Sequence, residues 1–99
     1  MAKRYRIECI RKPNRESRVE HITDIGGTSG GGWTMDTPQA IRRIDDGELE
    51  FFVRVGNNEV DVMTVHPAGH RPYIKTEPDQ TKVDNLLRLD ECPSSYKPI

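Results

Sequence analysis

The chain has 99 residues, enough for one domain that buries about 65% of its unfolded surface. Apolar residues make up 33% and charged residues 31%, so the core must be thin, which suits a sheet covered on one face better than strands buried on both. The net charge of −1 hides a gradient, with seven basic and two acidic side chains in residues 1–18 and two basic and seven acidic in 19–50; the overall pI near 6.3 is not that of a dedicated nucleic-acid binder.

In chain order, Tyr5, Ile7 and Cys9 alternate with Arg4, Arg6 and Glu8, the period of a half-buried strand. Lys12-Pro13-Asn14-Arg15 breaks that pattern with turn chemistry. A second strand is expected over Val19 to Ile25, with a bulge because Ile22 falls on the wrong face. Gly26-Gly27-Thr28-Ser29-Gly30-Gly31-Gly32 then holds five of the chain's eight glycines and reads as a mobile connector ahead of Trp33. Asp36 and Gln39 form a capping box for a helix over 38–46, with Thr37 as an alternative cap before Pro38. Ala40, Ile41 and Ile44 supply its apolar stripe, and Gly47 its stop.

The apolar period then changes from helical to alternating. Leu49, Phe51, Val53 and Val55 alternate with Glu50, Phe52 and Arg54. After Gly56-Asn57-Asn58, Val60 and Val62 alternate with Glu59, Asp61 and Met63. Segments 49–55 and 59–65 are therefore expected to pair as a hairpin. Tyr73 to Thr76 reads as an edge strand, Glu77-Pro78-Asp79 as a turn, and Val83, Leu86, Leu87 and Leu89 as a last apolar patch returning to a core of Ile41, Ile44, Phe51 and Val53. The expected fold is α+β, one short helix on a small antiparallel sheet in the order β-β-α-β-β-β. Residues 1–92 form a single domain and 93–99 a flexible polar tail.

The chemistry-bearing motifs fall short of their signatures. The glycine loop has no Lys-Ser or Lys-Thr after its last glycine, so it is no phosphate-binding P-loop, and Met35 stands where a dinucleotide fingerprint needs its third glycine. His66 and His70 have a ligand-like spacing, but Pro67 and Gly69 deny them a common helix face, and His21 with Asp61 is no local motif. Cys9 and Cys92 have no CxxC spacing and are too few for a disulfide scaffold; Cys9 reads as a small buried hydrophobe. Neither cysteine has a histidine nearby in a nucleophile arrangement, and no catalytic constellation, metal or cofactor is indicated. No apolar stretch follows the basic start, so neither signal peptide nor membrane span is expected, and the cytoplasm is the default location.

Two surfaces remain. Trp33, if partly exposed beside the glycines, can anchor a protein contact together with Lys75, Thr76 and Asp79, since aromatics bury much area with few rotors; the competing reading is that it staples the helix start to the sheet. The segment 11–18, with Arg11, Lys12, Arg15 and Arg18, can track phosphates as a basic hairpin tip, although it lacks aromatics for base stacking.

Trp33, Ala40-Ile41, Gly47, Phe51-Phe52-Val53, Tyr73-Ile74-Lys75-Thr76-x-x-Asp79 and Asn85-Leu86-Leu87-x-Leu89 occur in that order over most of the chain. This string resembles a family of small, mainly bacterial proteins classed only as a domain of unknown function. The resemblance implies a compact bacterial cytoplasmic domain and carries over no catalytic residue. The favoured reading is a non-catalytic protein-binding or adaptor module, with a nucleic-acid-associated module as the alternative.

Overall fold

A computed structural model describes residues 3–13, 19–77 and 85–99. The fold is α+β, with one helix among the described residues and two sheets in place of the single one expected. In the first sheet, strand β1 (Lys3–Arg6) lies parallel to β5 (Leu49–Val55), which pairs antiparallel with β6 (Asn58–Val65), and that with β7 (Tyr73–Thr76). In the second, β2 (Cys9–Arg11), β3 (Asp24–Gly27) and β4 (Trp33–Asp36) form an antiparallel meander. Two short parallel strands flank it, β8 (Asp90–Glu91) beside β2 and β9 (Lys97–Pro98) beside β4. Both sheets are therefore mixed, not purely antiparallel.

The alternating run Tyr5-Ile7-Cys9 is one extended passage that changes sheets. Ile7 N–H donates to Phe52 O in the first sheet at 2.8 Å, and the next amide, Glu8 N–H, donates to Gly26 O in the second, also at 2.8 Å. Ile7, at this corner, is fully buried.

Where a strand was expected from Val19, the chain makes a 3-10 turn over Val19–His21, and the strand begins only at Asp24. The broken alternation at Ile22 has this cause, because Ile22 enters the core from the turn and not from a pleat. The glycine run is the tip of the β3–β4 hairpin: Gly26 and Gly27 are strand residues opposite Thr34 and Trp33, and Gly30, Gly31 and Gly32 take φ values of 68°, 91° and 106° that reverse the chain. Glu8 pins this turn, its carboxylate accepting from Thr28 N–H at 2.7 Å and from the Thr28 hydroxyl at 2.5 Å.

Strand β4 runs directly into helix α1 (Thr37–Asp45). Asp36 caps it as expected, Oδ1 accepting from Gln39 N–H at 2.8 Å, and the Thr37 hydroxyl donates to Ile22 O at 2.8 Å, tying the first turn to the 3-10 segment. Gly47, at φ 75°, ends the helix. Ala40 and Ile41 are buried against the first sheet, and Ile44 is half-buried at its edge.

The core holds Phe51, Val53, Ile41 and Leu86 as expected, with Leu87 only packed against it. It also takes Ile7, Ile10, Ile25, Met35 and Ile74. The residues expected to form a loose tail instead include β9, and Tyr96 packs over Gly32, where a Cβ would lie 2.3 Å from the ring. Cys9, expected as a free buried thiol, is bonded to Cys92. Both sulfurs face Gly26, where a Cβ would approach each to 3.0 Å. The same Cβ would meet the Trp33 backbone oxygen at 2.4 Å, so the close approach of β4 together with the bridge leaves room at this position for glycine.

Candidate functional site

The residues singled out from sequence scatter. Trp33 is only 6% exposed, which removes the contact reading and favours the competing one, a packing role; its ring stacks on Phe51 at 5.9 Å and meets the Tyr5 ring edge-on at 5.8 Å. Residues Trp33–Met35 are buried in succession, so the indole is locked between the two sheets and its Nε1–H has no hydrogen-bond partner. Lys75 and Thr76 are consecutive on β7 and so point to opposite faces: Thr76 is buried opposite Val62, and Lys75 is half-buried opposite Met63. Arg11 donates from its guanidinium to Pro93 O at 3.0 Å. Lys12 lines a cavity of about 600 Å3 with Ile10, Leu87, Leu89 and Asp90, adjoining Pro13, the last residue described before Val19. Asp79, Arg15, Arg18 and Val83 lie outside the described residues. His66 Nε2 sits 2.8 Å from Asp45 Oδ2, and His70 is exposed in a separate turn. Among the described residues no group of three or more His, Cys, Asp or Glu is placed to hold a metal ion.

What the structure assembles instead is a fork in the first sheet. The register of β5 with β6 runs from Val55↔Asn58 to Phe52↔Asp61 and stops there. Beyond that point Leu49–Phe51 register with β1, while Val62–Val65 register with β7. A cavity of about 460 Å3 opens where the two strands part. Its floor is apolar (Ile44, Leu49, Phe51 and Val62), and its rim carries Met63, Thr64, Glu50, Asp61 and Glu77. Met63 is 37% exposed and, with Ile99, is one of two large apolar side chains described as exposed.

Arg4 spans the mouth of this fork. Its guanidinium carbon lies 4.5 Å over the Phe52 ring, a cation–π contact. Nη2 donates to Asp61 Oδ1 at 2.6 Å and to Glu59 Oε1 at 3.2 Å, and Nη1 is 3.8 Å from Glu50. The hydrogen bond to Asp61 is the main cause that raises the Arg4 pKa above its ordinary value, with Glu59 adding to it against the opposing cost of desolvation. A side chain from β1 thus reaches over β5 to hold β6.

Sequence reasoning missed this site, although it left a mark. Phe52, Met63 and Val65 are apolar at positions where the alternation of β5 and β6 calls for polar residues. On a solvent-facing parity, that departure signals a surface with something to cover.

The architecture defines a small α+β domain with two mixed sheets. Residues 6–90 match the model of the family described as "Protein of unknown function (DUF3892)", and the chain belongs to that family. No curated protein and no solved structure matches it.

Proposed function

We propose that this chain is a non-catalytic binding module that receives a protein partner at the fork between β5 and β6. One observation carries this reading: a cavity with an apolar floor opens through a sheet beside the exposed Met63. Soluble interfaces concentrate their energy where an anchor enters such a concavity inside a polar rim, and the pliable thioether of methionine suits a surface that must fit another chain. Lys75, on β7 opposite Met63, borders the same surface.

The basic segment 11–18 gives less to a nucleic-acid reading, since Arg11 turns its guanidinium to a backbone oxygen. No helix among the described residues is long and apolar enough to cross a membrane. A cytoplasmic setting sits poorly with the Cys9–Cys92 bond, because thiol pools there keep such pairs reduced.

The test is a selection of displayed peptides against the immobilised chain, counter-screened on Met63→Glu. Peptides that lose binding to the variant support the reading. Peptides that bind parent and variant alike, or none at all, overturn it.

A further inference from the structure

We propose that the occupant of the fork is a basic, extended segment of a protein partner, with one aliphatic or aromatic anchor flanked by lysine or arginine. The inference rests on the binding reading above and adds the chemistry of the partner.

Charge complementarity picks the class. The residues lining the cavity include three carboxylates, Glu50, Asp61 and Glu77, against one cation, Arg4. Widening the circle adds Glu59, bonded to Arg4, and Asp45, bonded to Thr64 at 2.7 Å, against Lys75 opposite Met63. That wider circle also takes in Arg54, in register with Glu59, and His66, 2.8 Å from Asp45, so the acidic excess is that of the lining itself, three to one. Glu50 and Asp61 have side chains 58% and 51% exposed, so both are open to an entering cation. Arg4 is shared among three acidic partners, which leaves acceptor capacity that a second guanidinium or an ammonium can use.

The apolar part of the lining sets the second requirement. Leu49, Phe51 and Val62 line the fork but are already buried, so the apolar surface open to a partner is that of the exposed Met63 and the half-buried Ile44. An entering side chain would pack on these two. An anchor alone would leave the rim carboxylates facing an uncharged surface, and a cation alone would leave Met63 uncovered. An extended segment satisfies both at once, because alternate residues can supply the anchor and the flanking charges.

The probe is a nine-residue synthetic peptide with a central leucine flanked by lysines. It is titrated into the 15N-labelled chain while amide shifts are followed. Two control peptides replace the lysines by glutamates or the leucine by alanine, and spermine serves as a polycation without an anchor. The expected result is saturable shifts at Glu50, Met63 and Thr64 with the lysine-leucine peptide, weakened by added salt. Glu50→Gln and Glu77→Gln should each weaken it about three- to fivefold, the scale of an exposed ion pair. Met63→Ala should weaken it about tenfold, as for a contact near an interface centre. Spectra of the variants alone report whether the fold is kept. Equal binding by the glutamate peptide at the fork would overturn the basic partner and leave the binding module standing. Equal shifts from spermine or from the alanine peptide would overturn the anchored segment. Shifts confined to other surfaces, or none, would overturn both.

Discussion

Glu8 shows how one side chain sets the geometry of a loop. It lies where the chain leaves the first sheet for the second, and its carboxylate holds both the amide and the hydroxyl of Thr28 at the head of the glycine turn. The bonds from Thr28 favour the ionised form and hold the Glu8 carboxyl below its ordinary value of 4.5, with Arg6 at 3.7 Å adding to the effect. A group whose folded pKa is depressed contributes stability that is present above its unfolded pKa and lost as pH falls through the folded one. Glu8→Gln should therefore lower stability at neutral pH by about 1 kcal/mol, the worth of a charge-assisted bond at a partly open site. The difference from the parent should close as pH drops below 4.5, read from urea midpoints across the acid range. A constant difference at every pH would mean that the charge of Glu8 has no part in it.

At the scale of elements, what was legible followed from local chemistry. Helix α1 was readable because Asp36, Gln39 and Gly47 mark its ends, and the β5–β6 hairpin because Gly56-Asn57 sits between two alternating runs. Strand β4 was not, since Trp33, Thr34 and Met35 are all buried and leave no alternation to see, behind glycines that read as a loop. Strands β8 and β9, two residues each, are too short to carry a period. The fork was half-legible. Phe52 and Met63 stood out by parity, but Arg4 could not be joined to Asp61 because the parallel β1–β5 pairing links segments far apart in sequence. The Arg4 side chain is about a third exposed and its acidic partners more than half, so the contacts should contribute at most about 1 kcal/mol. Arg4→Ala is expected to lower the urea midpoint modestly in low salt, with the loss shrinking at high ionic strength. A loss that salt does not touch would point to packing on Phe52 instead.

Across the whole molecule, the Cys9–Cys92 bond joins residues 83 positions apart and so ties nearly all of the domain into one covalent ring. In the chain-entropy account a closure of that length stabilises by about 4–5 kcal/mol through the unfolded state. A dithiol reductant, or Cys9→Ser with Cys92→Ser, should lower stability by an amount of that order in urea unfolding. An unchanged midpoint would show that the bridge contributes nothing. The bridge was hidden from sequence because β2 and β8 are brought together only by long-range parallel pairing, and Gly26, which makes room for both sulfurs, reads locally as part of a flexible run. The same ring has a mechanical meaning. If tension is applied at the two ends, β1 and β9, which lie outside the ring, are pulled from β5 and β4 first, and the covalent bond then carries the load in place of the remaining sheets. Roughly 280 Å of contour, at about 3.4 Å per residue, is then withheld from extension until the sulfur–sulfur bond is broken. Under force the oxidised domain behaves as a short link, and the reduced one as a spring with nearly the whole chain to release.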